Sequence, residues 1–139
     1  MDLKTAKTKQ CVPIYYLELP NVKSAAVGVL VRVGTCQEKW PEEAGLAHAL
    51  EHMLFQGTED FPESRQLSAY IEDVGGYLNA WTWKEMTFYY NVLPAGKVER
   101  GPRLLGQMLR KPLFKEENVK VEMKNVVREI KQKYDDNHN

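Results

Sequence analysis

The chain has 139 residues and a mass of 16.0 kDa, about the size of one domain. Nineteen Lys and Arg balance nineteen Asp and Glu, so no global field draws in nucleic acid or an anionic membrane, and a 43% apolar content is that of a globular fold with a buried core. The longest near-apolar run, Ala25 to Val31, falls far short of the roughly 18–20 residues a bilayer-crossing helix needs.

The lysine-containing N-terminus, Met1 to Gln10, has no apolar stretch of signal-peptide length behind it, which argues against secretion and favours the cytoplasm. Val12–Glu18 and Ala25–Val33 are rich in β-branched and aromatic residues and read as two strands joined by a turn at Leu19-Pro20-Asn21. Trp40-Pro41-Glu42-Glu43 places proline at a first helical position with acids behind it, and Gly57 stops the segment, so Pro41–Gln56 reads as a helix. Phe61-Pro62-Glu63 repeats that start signal. Leu67, Tyr70, Ile71 and Val74 follow at helical spacing, and Gly75-Gly76 closes a second helix. Tyr77–Thr82 and Met86–Leu93 read as two further strands. Val98–Arg110 reads as a helix despite Gly101, Pro102 and Gly106, and Glu116 to about Tyr134 as a longer one with Val119, Met123, Val126, Val127, Ile130 and Tyr134 in one apolar stripe. The order is ββααββαα. No repeat, low-complexity tract or Gly/Ser-rich linker divides it, so residues 1–139 are expected to form a single domain. Cys11 and Cys36 form no metal or redox motif and are expected as small buried or semi-buried apolar residues.

The first helix is apolar on nearly every side yet carries His48, Glu51 and His52. At 100° per residue the two histidines lie about 40° apart, with Glu51 about 60° from His48 on the other side, so three polar groups share one face. Burying them without partners would cost on the order of several kcal/mol, and a dication held by two imidazoles removes that cost. His48-Ala49-Leu50-Glu51-His52 is the inverted zinc motif H-x-x-E-H. The competing reading is two core histidines hydrogen-bonded to neighbours, with Glu51 in solvent. A catalytic zinc needs a third protein ligand and keeps the fourth position for water. The final helix offers Glu122 and Glu129, about 20° apart around its axis at the edge of the apolar stripe, one to ligate and the other to support. Glu116, Glu117 and Asp135 sit at the helix ends, and His138 lies in a polar tail that reads as frayed.

His48 through Thr58, followed by Phe61-Pro62, resembles the signature of the pitrilysin family of inverzincin metallopeptidases, which includes insulysin and the mitochondrial processing peptidase. The spacing from His52 to Glu129 is similar to the family's spacing to its third ligand, and Glu122 falls where the family keeps a supporting carboxylate. The resemblance runs from about Ile14 to Tyr134. It implies an α+β roll, with helices packed on one face of a mixed or antiparallel sheet. It also implies a zinc endopeptidase in which His48, His52 and Glu129 hold Zn2+, Glu51 is the general base for the zinc-bound water, and Glu122 orients the ligands or stabilises local charge. Tyr77–Thr82 resembles the segment whose edge strand receives substrate in that family, which would let Asn79 and Ala80 align an extended peptide or unfolded polypeptide by strand addition. Phe55, Trp81 and Tyr89 are candidates for a side-chain pocket, with core packing as the competing role.

Members of that family are much longer, and a second homologous half supplies an Arg and a Tyr near the scissile carbonyl that no position here matches. The expectation is therefore a truncated module or a fragment, whose open sheet edge and uncovered apolar surface await a complementary homologous domain or self-association. Two alternatives follow: a metal-retaining partner module inactive without that complement, and a small-molecule metallohydrolase similar to S-ribosylhomocysteinase. The latter uses two His and a Cys, whereas no cysteine follows Cys36 here.

Overall fold

The computed structural model describes residues 2–136, with side chains through residue 132. His138 and the side chains of Tyr134 and Asp135 lie outside the described residues. Lys4–Lys7 (β1) and Pro13–Tyr16 (β2) pair antiparallel as a separate hairpin. The sequence reading contains no β1: Lys4-Thr5-Ala6-Lys7 has no apolar alternation, and the strand exists through its pairing with β2. Cys11 sits at the turn of this hairpin with φ 64°, and both Cys11 and Cys36 are exposed. This corrects the expectation of burial: Cys11 lies in the tight turn that closes the hairpin, its N–H donating to the Thr8 carbonyl, and Cys36 lies in the short 3-10 turn Thr35–Gln37, which buries none of its residues.

Ser24–Val31 (β3), Tyr77–Thr82 (β4) and Thr87–Pro94 (β5) form a wholly antiparallel sheet in the order β3-β5-β4. Its period-two alternation turns Val27, Val29, Val31, Leu78, Ala80, Tyr89 and Leu93 towards the helices. Ser64–Glu72 (α2) and Arg100–Arg110 (α3) cover that face, and Leu54, Leu67, Ile71, Leu104, Leu105 and Met108 complete the core. This is the expected α+β arrangement of helices on one face of an antiparallel sheet. The opposite face is open: Leu30, Tyr77 and Trp81 are exposed beside the stacked rings of Phe88 and Tyr90.

The glycine and proline inside α3 have positional reasons. Pro102 lies in the first turn, where its missing N–H costs no helical bond. At Gly101 a Cβ would come within 2.5 Å of Asn91 Oδ1 and 3.2 Å of Val27, so glycine lets the helix approach the sheet closely. Asn91, fully buried on β5, donates from its Nδ2 to the Gly101 carbonyl at 3.3 Å. Gly101→Ala is expected to destabilise the fold by about 1–3 kcal/mol, the usual cost of overpacking, read as a lower midpoint in chemical denaturation.

Leu46–Leu54 (α1) begins five residues later than proline at position 41 suggests. Gly45 at φ +86° is left-handed, which interrupts any helix arriving from Pro41, and residues 41–44 form turns instead. The helix start is capped from a distance: Glu38 accepts hydrogen bonds from the N–H groups of Gly45 at 2.9 Å and Ala47 at 2.8 Å. A carboxylate there also complements the positive end of the helix. Glu116–Asp136 (α4) packs against α1. Here the apolar stripe is corrected. Val126 is buried, but Met123 and Val127 are exposed, because α4 is rotated to turn Glu122 and Glu129 towards α1 instead of its full apolar flank.

Candidate metal centre

Successive turns of α1 stack His48 and His52 on the side facing α4, Gln56 follows just past the helix end and reaches the same α4 carboxylate as His52, and Glu51 turns towards β4. The two imidazoles meet edge to face with their Nε2 atoms 3.2 Å apart. Glu129 Oε2 lies 3.5 Å from His48 Nε2 and 3.7 Å from His52 Nε2. Tetrahedral zinc with ligand bonds of about 2.0–2.1 Å separates its donor atoms by about 3.3 Å. A triangle with sides of 3.2, 3.5 and 3.7 Å therefore fits that ion with little adjustment. His48, His52 and Glu129 are the only group of three or more His, Cys, Asp or Glu side chains so clustered among the described residues. Cys36 has no part in it.

Glu122, two turns before Glu129 and only 12% exposed at its side chain, approaches the far side of His52, with Oε2 3.0 Å from Nδ1. A proton on Nδ1 donated to this carboxylate leaves the Nε2 lone pair directed into the triangle, the tautomer a metal ligand needs. Gln56 Nε2 donates to Glu122 Oε1 at 3.0 Å, and Asn125 Nδ2 donates to Oε2 at 3.4 Å, so the carboxylate is held from three directions.

Glu51 stands outside the triangle. Its Oε2 accepts a 2.5 Å hydrogen bond from the Thr82 hydroxyl. Tyr89, buried behind it on β5, has its phenol pushed above the ordinary tyrosine range, first by burial and then by the Glu51 charge, so it stays neutral. A cleft of about 750 Å³ opens beside the triangle, lined by His48, Glu51, Ala80, Trp81, Thr82 and Trp40 among others. Beyond it runs β4, an edge strand among the described residues. The Ala80 N–H is taken up by the Asn79 carboxamide at 2.8 Å, which marks it as a group of that open edge.

The structure thus brings together His48, His52, Glu129, Glu122 and Glu51, and sets Ala80 on the cleft wall with exposed Asn79 next to it. It does not bring Phe55 there. Its ring packs against the hydrophobic core, and Tyr89 is itself part of that core, so of the three aromatic candidates only Trp81 lines the cleft. Glu38, Gln56 and Thr82 were not anticipated. Gln56 carried a legible signal, four residues after His52 on the same helical face; Thr82 is 31 residues from Glu51 and carried none.

The family described as "Insulinase (Peptidase family M16)" matches residues 14–139. Among curated proteins the chain is 30% identical over 129 residues to an uncharacterised zinc protease of Rickettsia bellii, covering 93% of this chain and 31% of that protein. It is 38% identical over 112 residues to a probable mitochondrial-processing peptidase subunit beta of Arabidopsis thaliana, covering 81% of this chain and 21% of the relative. Among solved structures, pitrilysin superposes with a TM-score of 0.77 at 24% identity, over 87% of this chain and 13% of that one, a likeness of fold. The chain thus spans less than a third of the length of each of these proteins.

Proposed function

Since the chain belongs to the insulinase family of peptidases, we propose that it is a zinc-dependent endopeptidase module hydrolysing extended peptides or unfolded polypeptides. The observation that carries this reading is the fit of the His48–His52–Glu129 triangle to tetrahedral zinc. A bound zinc ion supplies Lewis-acid chemistry, lowering the pKa of a water towards about 7 and polarising the scissile carbonyl.

The chain's own residues do the rest. Glu51 takes the proton of the attacking water and returns it to the departing amine, as expected of a carboxylate beside the ligands but not among them. Glu122 fixes the tautomer and ring orientation of His52. The open edge of β4, with Asn79 and Ala80, accepts the substrate backbone as an added strand, giving affinity through main-chain hydrogen bonds. Trp40 supplies an apolar wall for a neighbouring side chain. A complementary homologous domain or a second copy would cover the cleft from its open side.

Metal titration should give one equivalent of zinc per chain. Cleavage of an unstructured fluorogenic peptide should stop on chelation and return with zinc. Equal cleavage by the metal-free chain would overturn the reading. Glu122→Ala is expected to lower zinc affinity by about 10–100-fold in competition titrations, as removal of a hydrogen-bond partner of a ligating histidine does.

One observation favours a second reading, a metal-retaining module that turns over only with its complement: the sheet face carrying Leu30, Tyr77 and Trp81 is exposed. One equivalent of zinc without peptide cleavage would select it. The small-molecule alternative finds no support at the metal centre, where the third donor is Glu129 and not a cysteine.

A further inference from the structure

Resting on the assignment of Glu51 as the base, we propose that Thr82 is a positioning residue that aims the Glu51 carboxylate, so that one strand sets both substrate register and the direction of the base. The Thr82 hydroxyl has a single proton. Thr87 Oγ1 is 3.4 Å from it, but the Thr87 proton is committed to the Val33 carbonyl at 2.9 Å. The Thr82 proton goes to the nearer, charged acceptor, Glu51 Oε2, at 2.5 Å. A charge-assisted bond of this length holds one carboxylate oxygen and leaves Oε1 to meet the attacking water.

The anchor itself is stiff. Thr82 is β-branched, so its rotamer freedom is small, and it pairs with Thr87 across the ladder of β4 and β5. Glu51, by contrast, has three side-chain torsions and lies on a different element. Among the described residues no other group hydrogen-bonds its carboxylate, and a misplacement of about 1 Å in a reacting group costs on the order of 100-fold in rate. Ala80 and Thr82 are two residues apart and therefore on the same side of β4, both lining the cleft. A peptide added to the β4 edge at Asn79 and Ala80 is thereby placed in register with the hydroxyl that aims the base.

The test compares Thr82→Val, which keeps the shape and loses the hydroxyl, with Thr82→Ser, which keeps it, in the zinc-loaded protein. Thr82→Val is expected to lower kcat by about 10–100-fold, with KM and zinc affinity within about twofold, and Thr82→Ser to restore the rate to within about threefold. In a Glu51→Gln background Thr82→Val should cost nothing further, because the group it acts through is already gone. A rate unchanged by Thr82→Val, or an equal loss in both backgrounds, would overturn the proposal. A second readout needs no turnover: in the metal-free protein the Thr82 hydroxyl proton should be seen by NMR as slowly exchanging and should disappear in Glu51→Ala. Its absence from the unsubstituted protein overturns the tie even if Thr82→Val fails to fold. Absence of cleavage by the unsubstituted, zinc-loaded protein would instead count against the peptidase reading alone.

Discussion

Glu51→Gln is expected to leave one zinc bound per chain and to lower kcat by about 10²- to 10⁴-fold, the range that a positioned general base contributes. The two halves of that result have separate physical origins. Metal retention follows because Glu51 is not one of the three clustered donors. Loss of turnover follows because an amide of the same shape accepts the Thr82 hydrogen bond but cannot take a proton from water at neutral pH. Packing should not change, since the substitution is isosteric and the half-buried side chain keeps its partner. KM should therefore stay close to that of the unsubstituted protein, as when an interaction made only in the transition state is removed. Single-turnover cleavage of a fluorogenic peptide, run beside zinc analysis of the same preparation, checks both halves. Full turnover in Glu51→Gln would remove the assigned base while leaving the metal site standing.

Local patterns made most of this architecture legible. The α2 stripe of Leu67 and Ile71 and the alternation along β5 follow from short-range periodicity, and the structure buries those residues accordingly; the shared polar face of α1 follows from the same periodicity, although Leu46 and Leu50 of that helix are exposed and not buried as its apolar composition suggests. Two misreadings share a cause, since both needed knowledge of what lies across the interface. Proline at position 41 offered a start for α1, but the real start depends on Gly45 turning left-handed against Ile130 and on Glu38 reaching back to cap it. The α4 stripe was sound as a pattern, yet which flank is buried was decided by two histidines on α1 attracting two carboxylates, which left Met123 and Val127 in solvent. The site was legible for the same reason in reverse: the spacing of Glu122 and Glu129 by two turns is a helical regularity, so finding one face finds both. Thr82, on a strand far along the chain from α1, depends on sheet register and packing, which no local pattern encodes.

Glu129→Gln should separate ligand from support, because the two carboxylates of α4 differ in what they touch. Glu129 stands across from both Nε2 atoms, at 3.5 and 3.7 Å, whereas Glu122 reaches only the Nδ1 side of His52. A neutral amide at position 129 removes the anionic oxygen from the triangle, and Glu122 cannot replace it without abandoning Gln56 and the tautomer it holds. Zinc affinity should consequently fall further than the roughly 10–100-fold expected of Glu122→Ala. Stability of the metal-free protein should move by no more than about 0.5 kcal/mol, because the Glu129 side chain is 38% exposed and, among the described residues, its ion pairs are with imidazoles that are partly in water themselves. Competition titration with a zinc chelator gives the first quantity and thermal melting of the apo-protein the second. Loss of affinity with the apo-fold intact identifies a ligand, since a structural residue would lower both. Undiminished zinc binding by Glu129→Gln would mean that the metal lies elsewhere, and the approach of α4 to α1 would then need an explanation in packing alone.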